Sequence, residues 1–486
     1  MNLSLELMAP EIIVLATGFL ILISDLFQKS KNENKASSIL AIVGIMLAAC
    51  SGLFLTDAPK ETLGGRFGLD QLDLILKEIL LLSAGLVIMI SPAAMKEKSE
   101  QKITHFSEFF TVILFTLSGM MFLVSSRDLV TLYVSLELAT IPLFALTAWT
   151  KTDKSGEAGV KYLIMGAIGS AFLLYGLGFI YSITGDLGLK AIQTTLTASQ
   201  LTNPSLYLAG ALILAGVGFK LTLFPFHMWA PDAYQGAPTP ITAFLSVASK
   251  GTGLILAIQL LLKVMGFLLQ PFVFGIAILA TLTMTLGNLV AVRQNNLKRF
   301  MAYSSISQAG YLLMGFMTTK PEGLTAMVFY MLVYALTNLA AFGVLIVHIH
   351  QTGQEDITSL RGISKANPLL ALSLMIALFG LAGIPPLAGF VGKFFLFSIA
   401  AQVGYYWLVA VAALNSTVSL YYYLRLVRQM YIEPENPQSQ KLQISPMSIL
   451  GLGIATVGSV VAGLIPYIYD GILATSSQWL QVWLKI

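Results

Sequence analysis

Charge is scarce in this sequence. Of its 486 residues only 11% are Asp, Glu, Lys or Arg, and 56% are hydrophobic, whereas about a quarter of the residues in a soluble globular chain are charged. So few charges cannot cover a folded surface with polar groups, which excludes an ordinary soluble protein and predicts that lipid is the solvent. The formal net charge of +4 is typical of basic loops in a membrane protein and does not indicate nucleic-acid binding.

Motifs that bind redox cofactors are also lacking. Cys50 is the one cysteine; it cannot form an intrachain disulfide, and alone it cannot hold an iron–sulfur cluster. The sequence contains no GxGxxG, no Walker motif and no span with paired histidines at haem-like spacing. We therefore expect this chain to bind no nicotinamide, flavin, haem or iron–sulfur centre, so that the electrons of any redox enzyme it belongs to travel through other subunits.

Apolar runs long enough to cross a membrane recur from end to end. They predict about fourteen spans, at 9–27, 38–55, 77–93, 108–124, 129–149, 160–183, 206–228, 240–265, 271–291, 301–318, 324–349, 368–401, 404–430 and 445–469. No long polar block interrupts them, so we predict one all-α polytopic domain over 1–486. The first run lacks a basic n-region and a cleavage signal, which predicts a retained span. The final SSQWLQVWLKI is expected to be interfacial, with Trp479 and Trp483 as anchors.

The distribution of basic residues predicts the orientation. Loops after odd-numbered spans, with their flanks, hold 17 of the 28 lysines and arginines, and the opposite side holds eight. The positive-inside rule then places both termini outside and the basic loops in the cytoplasm. We assign Lys77, Arg127 and Lys263 to the outer loops. The three lysines that no loop accounts for, all inside predicted spans, are Lys220, Lys250 and Lys393.

A fourth charge, Glu137 in LYVSLELATIPLFAL, also lies inside a span. A charge at the centre of a membrane helix costs at least ~2.5–3.5 kcal/mol, so each of the four should face the interior of the bundle. At ~1.5 Å per residue, Glu137, Lys220 and Lys250 lie ~12–15 Å from the ends of their spans, and Lys393 lies towards the outer side. A buried lysine near an opposite charge can release and regain a proton, which an arginine cannot do.

A structural explanation of these charges stays open. Glu137 and Lys220 could form a buried ion pair that only joins two helices. That explanation fits Lys250 and Lys393 less well, because the sequence offers no second or third carboxylate in the membrane to pair with them.

Two stretches suggest an inverted repeat. GVGFKLTLFPFHMW ends the seventh predicted span, and GLAGIPPLAGFVGKFF lies in the twelfth. Both place glycines and prolines at membrane depth beside one lysine, and an offset of five spans inverts the topology, which is typical of inverted-repeat transporters with interrupted helices. Pro225, Pro385 and Pro386 should interrupt the helices and free carbonyl groups for water or for the lysine. The alternative is an ordinary packing kink.

Two further polar features could assist proton transfer. His227, seven residues after Lys220, could relay protons, or it could cap the span. AYSSISQAGY contains a polar stripe that could order water or serve helix packing, formed by Tyr303, Ser304, Ser305, Ser307 and Gln308.

FKLTLFPFHMWAPDAYQGAPTPITAFLSVASKGTG, NLKRFMAYSSISQAGYLLMG and LAGIPPLAGFVGKFF closely resemble the subunit N family of bacterial proton-pumping NADH:quinone oxidoreductase, respiratory complex I. This family is related to mitochondrial subunit 2 and to Mrp-type cation/proton antiporters. The resemblance implies fourteen helices with two inverted five-helix repeats, each with a broken helix, and it divides the chain into 1–107, 108–265, 271–430 and 431–486. The implied charged positions on helices five, seven, eight and twelve match Glu137, Lys220, Lys250 and Lys393. Gln308 departs from many relatives, which have histidine there, and glutamine does not titrate near neutral pH.

The resemblance implies proton translocation across the bacterial inner membrane, driven by electron transfer from NADH to quinone in other subunits. It places FMN, iron–sulfur clusters and quinone in those partner subunits, with no cofactor in this chain. Protons would enter from the cytoplasm towards Lys220 and Lys250 and leave near Lys393, while Glu137 modulates Lys220 and couples to a neighbouring subunit. Two alternatives stay open: a secondary cation/proton antiporter of Mrp type, and a structural spacer with an idle channel.

Overall fold

The protein is almost entirely helical. The computed structural model describes residues 4–27, 33–55, 60–95, 103, 105–196, 203–266, 270–434 and 441–484. Its helices are α1 (Ala9–Phe27), α2 (Glu33–Leu53), α3 (Gln71–Ile90), α4 (Phe106–Ser125), α5 (Leu129–Thr147), α6 (Asp153–Thr184), α7 (Leu189–Thr195), α8 (Pro204–Leu221), α9 (Trp229–Gly236), α10 (Thr239–Val264), α11 (Gln270–Val292), α12 (Leu297–Leu312), α13 (Pro321–Thr352), α14 (Ile363–Ala366), α15 (Pro368–Ala382), α16 (Ala388–Gln402), α17 (Tyr406–Tyr431), α18 (Pro446–Leu464) and α19 (Pro466–Leu484). A short antiparallel hairpin, β1 (Lys60–Thr62) and β2 (Phe67–Leu69), precedes α3 and pairs Lys60 with Leu69.

The predicted spans are confirmed. Within the described residues, twelve helices are long and apolar enough to cross a membrane. The tenth predicted span is α12 with its 3₁₀ continuation Leu313–Met317. The twelfth is formed by two shorter apolar helices, α15 and α16. The chain is therefore an all-α polytopic membrane protein, as its composition requires.

Local sequence fixes where several helices begin. Asp70 and Asp73 form a reciprocal capping box at the start of α3, and Thr152 and Ser155 form another at the start of α6. Asp128 accepts hydrogen bonds from two backbone amides in the first turn of α5. Each side chain satisfies N–H groups that have no partner within the helix, so the helix can begin at that residue.

Burial separates two central helices from the outer ones. In α10 the most apolar 18-residue window is 100% buried, and in α13 it is 94% buried, whereas in α6, α17 and α18 the corresponding value is 33%. Helix α13 contacts α10, α15, α16, α18 and α19. Because the outer helices expose large apolar side chains, they are suited to contact lipid or neighbouring subunits, while α10 and α13 are shielded from both.

Two spans are interrupted at membrane depth. The seventh ends as a helix at Leu221 and resumes at Trp229, and the twelfth ends at Ala382 and resumes at Ala388. Pro225 lies in the first break, and Pro385 and Pro386 lie in the second, so the predicted interruptions are confirmed. Each break falls in the fourth helix of a five-helix repeat. At the second break a Cβ atom on Gly389 would lie 1.8 Å from the Gly380 carbonyl oxygen, so the close approach of the two half-helices requires glycine there.

Candidate functional site

Lys220 lies in the last turn of α8, directly before the first break. Its side chain is buried, at 3% exposure, and its Nζ atom donates a hydrogen bond of 2.7 Å to the Thr140 hydroxyl of α5. The carbonyls freed by the break do not bind it. Leu223 N donates to the Gly218 carbonyl at 2.7 Å, and Trp229 Nε1 donates to the Phe219 carbonyl at 3.2 Å.

Glu137 lies on α5 one turn before Thr140, but it is only half-buried. It shares an outer stripe of the helix with the exposed side chains of Val134, Leu138 and Ile141. Ser170 of α6 donates a short hydrogen bond to its carboxylate. Although both residues are described, Glu137 and Lys220 form no ion pair within 4.0 Å. The structure therefore places Lys220 and the Glu137 carboxylate at neighbouring faces of α5, without a direct ion pair between them.

Lys250 lies near the middle of α10, the fully buried helix. Its Nζ atom donates to the backbone carbonyl of Ser305 and, at 2.6 Å, to the Ser305 hydroxyl. Two wide π-helical segments flank it, Leu245–Ser249 and Ile258–Val264. Such turns are rare and are frequent at functional sites, because they re-aim side chains within an otherwise regular helix.

Lys393 lies on α16, after the second break, and is 3% exposed. Its Nζ atom donates to the carbonyl oxygens of Leu381 at 2.9 Å and Ala382 at 3.1 Å, the last residues of α15. A third, longer contact of 3.4 Å reaches the Ser416 hydroxyl on α17. The freed carbonyls of this break therefore do meet the lysine, as the sequence predicted.

The polar stripe of α12 connects Lys250 to the second break. Ser304, Ser305, Ser307 and Gln308 are all buried, and Gln308 Nε2 donates at 3.1 Å to the Leu381 carbonyl that also binds Lys393. Of the four predicted in-span charges, the structure thus places two lysines at this stripe: Lys250 binds Ser305 directly, and Lys393 shares the Leu381 carbonyl with Gln308. Lys220 and Glu137 lie at a separate position between α5 and α8.

His227 lies within the first break and is 8% exposed. Its ring packs against Phe224 with centroids 5.9 Å apart. Its Nδ1 atom is buried and has no hydrogen-bond partner among the described residues. The histidine does not contact Lys220 directly, so a relay through it requires another group between them.

Two buried ion pairs were missed by the sequence analysis. Lys77 Nζ lies 2.6 Å from Glu11 Oε1, with side chains 2% and 0% exposed. Arg127 binds Asp73 closely and also lies 3.2 Å from Asp70. Glu11 of α1 and Asp73 of α3 are therefore further carboxylates in membrane-length helices. These carboxylates are paired elsewhere, however, and neither Lys250 nor Lys393 has a carboxylate within 4.0 Å among the described residues.

Lys77, Arg127 and Lys263 are all buried. Arg127 lies in the short loop between α4 and α5, as predicted, whereas Lys77 lies in α3 and Lys263 in the last turn of α10, so the assignment of these two lysines to loops is wrong. Lys263 Nζ lies 4.4 Å from the centroid of the Trp483 ring and 5.3 Å from that of Trp479. The two tryptophans are 7% and 3% exposed, so they cover a buried ammonium through cation–π contacts. Their position at the membrane interface stays a prediction.

The carboxyl groups around Arg127 differ in their surroundings. Asp70 caps α3 outside the membrane-spanning helix, and burial together with the Asp73 charge raises the pKa of Asp70 to about 6, although Lys263 and Arg127 oppose the shift. Asp70 is therefore the member of this cluster that could titrate near neutral pH.

A polar cavity of ≈ 240 Å³ opens at the end of the molecule where α6 begins. Asp232 of α9 lies at its centre, 2.8 Å from Lys161 Nζ and 2.6 Å from Arg299 Nη1. The cavity is bordered by Asp232, Gln235 and Gly236 of α9, which is the second half of the broken seventh span. Within the described residues, no group of three or more His, Cys, Asp or Glu residues could hold a metal ion.

Comparison with known proteins supports the resemblance carried by the sequence. Residues 126–419 match the sequence model of the family described as "NADH:quinone oxidoreductase/Mrp antiporter, TM".

The chain belongs to this family.

Among its relatives, NADH-quinone oxidoreductase subunit N from Trichlorobacter lovleyi is 38% identical over 471 residues, which cover 96% of this chain and 95% of that protein. A chain of respiratory complex I from Thermus thermophilus is 30% identical, with a TM-score of 0.79 and coverage of 96% and 99%. A chain of the Mrp complex from Dietzia sp. is 19% identical, with a TM-score of 0.85 and coverage of 99% and 97%. At 19% identity, the similarity to the Mrp chain concerns the fold alone. The relative named subunit N, in contrast, matches over nearly its whole length. The predicted resemblance to subunit N is confirmed.

Proposed function

We propose that this chain is a membrane-arm subunit of a bacterial NADH:quinone oxidoreductase that translocates protons, driven by electron transfer from NADH to quinone in other subunits. The observation that carries the proposal is that Lys220, Lys250 and Lys393, the lysines deep inside the predicted spans, are buried and have no carboxylate within 4.0 Å among the described residues. A buried ammonium that no counter-charge fixes can change its protonation state at low cost, whereas a paired one is held charged. Nearly full-length relatives named for NADH-quinone oxidoreductase support the assignment to that enzyme.

The lysines act in sequence. Lys220 and Lys250 receive protons from the cytoplasmic side, and Lys393 releases them towards the outside. The cavity bordered by Lys161, Asp232 and Arg299 supports entry at the end of the molecule next to the broken seventh span. His227 serves as a relay in that break, because its buried Nδ1 atom is left without a protein partner.

Glu137 has a different role. Its place on the outer stripe of α5 would leave a carboxylate facing lipid if this chain stood alone, which is costly. We infer that a neighbouring membrane-arm subunit covers it. From there the Glu137 charge acts on Lys220 across α5, so that a change at the subunit interface alters the protonation of the lysine.

The orientation follows from the basic residues. The chain lies in the bacterial inner membrane with both termini on the periplasmic side. The excess of lysine and arginine in loops after odd-numbered spans, with their flanks, supports this orientation. The chain functions as a single domain over 1–486. It binds no cofactor itself, and FMN, the iron–sulfur clusters and quinone belong to its partner subunits.

Replacing Lys220 by alanine in the assembled complex tests the proposal. We expect proton pumping into sealed vesicles to be abolished, while NADH oxidation either falls with it or becomes uncoupled. Lys190→Ala, which removes an exposed lysine outside the spans, is the matched control and should pump normally. An unchanged proton-to-electron ratio in Lys220→Ala would contradict the assignment.

A further inference from the structure

The polar stripe of α12 between Lys250 and Lys393 contains a group that cannot carry a proton near neutral pH. Gln308 stands between the two lysines, and an amide does not titrate near neutral pH. Its contacts are fully specified: it accepts from the Tyr330 hydroxyl and donates to the Leu381 carbonyl at 3.1 Å and to the Tyr423 hydroxyl at 3.3 Å. Protons that move from Lys250 to Lys393 must therefore pass beside Gln308.

A small cavity lies beside this residue. It measures ≈ 20 Å³ and is bordered by Lys250, Gln308, Tyr330 and Tyr334, with the remaining wall formed by apolar side chains. This size suits one water molecule, which needs two or more polar partners to be stable. The polar atoms at its border bind protein groups: Tyr330 donates to Gln308, and Tyr334 donates to the Ser305 hydroxyl at 2.9 Å. A water molecule becomes favourable there only when one of these groups turns towards it.

Lys250 can turn in this way without losing all its partners. An ammonium group has three N–H donors, and the two acceptors that Lys250 has in the protein both belong to Ser305. Its third N–H remains for the cavity that its side chain borders.

Tyr330 lies on the path to the other lysine. Its ring packs against α16 at Gly392, where an added Cβ atom would approach Tyr330 Cδ2 to 2.7 Å. Gly392 directly precedes Lys393 in the chain. The same tyrosine thus borders the cavity next to Lys250 and contacts the helix turn that carries Lys393. Tyr330 is 4% exposed, so it is shielded from the lipid.

We propose that Tyr330 carries the proton past Gln308. Gln308, by accepting a hydrogen bond from the Tyr330 hydroxyl, holds that hydroxyl out of the path. In the transfer step a water molecule in the cavity takes a proton from the Lys250 ammonium and gives one of its own to the Tyr330 oxygen. Tyr330 releases its original hydroxyl proton, through water, to the neutral amine of Lys393. The net result is a neutral Lys250 and a protonated Lys393, with Tyr330 and water unchanged. This inference rests on the proposed function.

The test compares two hydroxyl deletions in the assembled complex, with protons moved per electron as the measurement. Tyr330→Phe should reduce pumping about tenfold, because it removes a proton-transfer group and keeps the ring. Tyr422→Phe is the control: this hydroxyl is equally buried and donates at 2.9 Å to Asn288, away from the cavity, so pumping should stay near normal. Normal pumping by Tyr330→Phe, or equal losses in both variants, would overturn the inference.

Two further variants separate proton transfer from structural damage. A histidine titrates near neutral pH, so Tyr330→Phe combined with Gln308→His should recover pumping if the lost function is proton transfer, and a failure to recover it in a normally assembled complex counts against the inference. If Tyr330→Phe assembles poorly, a second pair of variants is compared: the single variant Gln308→Met, and the double variant Gln308→Met/Tyr330→Phe. These two also differ only by the Tyr330 hydroxyl, but neither contains a glutamine oxygen that could be left unpaired. Equal pumping by that pair overturns the inference.

Lys250→Met, measured in parallel, distinguishes the two proposals. If it pumps normally, the proposed function of the buried lysines fails. If it abolishes pumping while Tyr330→Phe pumps normally, the lysine path stands and Tyr330 is not part of it.

Discussion

The two interrupted helices hold their lysines in different ways. At the first break the freed carbonyls of Gly218 and Phe219 are taken by the following backbone and by Trp229, and Lys220 binds one hydroxyl, that of Thr140. At the second break the carbonyls of Leu381 and Ala382 bind Lys393, which reaches back to them from the next half-helix. Each also accepts one side-chain hydrogen bond at 3.1 Å, from Gln308 and from Ser416 respectively. The inverted repeat places a lysine at each break but does not give the two lysines the same partners.

This difference bears on which protonation state each site favours. A carbonyl oxygen only accepts hydrogen bonds, so the partners of Lys393 favour an ammonium, as does the partial negative charge at the C-terminal end of α15. A threonine hydroxyl can both donate and accept. The Thr140 hydroxyl donates to the Leu136 carbonyl at 2.6 Å while it accepts from Lys220, and by turning away from that carbonyl it can donate to a neutral amine. We infer that the first break is suited to exchange protons in both directions, while the second holds a proton until it is displaced.

Substitutions of Lys393 have the largest expected effect on this comparison. Lys393→Met should reduce pumping at least about tenfold, because it removes a proton carrier. Lys393→Arg can still donate to both carbonyls but does not release its proton, so it should assemble well and pump as poorly as the methionine variant. Proton uptake by vesicles and complex assembly are the two measurements. Normal pumping by the arginine variant would show that the site needs only a positive charge.

Removing the hydroxyl at the first break should have a smaller effect. Thr140→Val deletes the hydrogen-bond partner of Lys220 and keeps the shape of the side chain, so pumping should fall roughly fivefold, equivalent to about 1 kcal/mol. Thr147→Val is the control on the same helix, since Thr147 is buried and binds its own helix at the Leu143 carbonyl. If both valine variants pump alike, Thr140 has no special part in holding Lys220.

The sequence predicts the features that depend on neighbouring residues. Apolar length identified the spans, prolines located both breaks, and lysines inside apolar runs marked the buried amines. Each of these signals lies within about twenty residues of the feature it predicts, which is the length of one membrane-spanning helix. The partner of Lys393 could also be predicted, because the carbonyls and the lysine belong to the same interrupted span.

Contacts between distant segments could not be predicted in this way. Arg127 and Lys263 are close to the ends of spans, where a basic residue is usually a loop residue, and only tertiary packing brings Asp73 and two C-terminal tryptophans against them. The sequence predicts that Glu137 faces the interior of the bundle, but the rotation of α5 leaves its half-buried carboxylate on an outer stripe. Tyr330 gave no signal at all, since a tyrosine in an apolar helix is usually a packing residue.

The smallest effect should come from the third contact of Lys393. Ser416→Ala removes a hydroxyl 3.4 Å from the Lys393 Nζ atom, while the two carbonyls at 2.9 and 3.1 Å remain. Because long hydrogen bonds contribute little when better acceptors are present, pumping should change by less than about twofold. Thr417→Ala, on the exposed neighbouring position of α17, controls for any general effect of shortening a side chain there. The proton-to-electron ratio is the measurement. A loss as large as that in Thr140→Val would mean that the second break depends on a hydroxyl, as the first does. The carbonyls alone would then not hold Lys393.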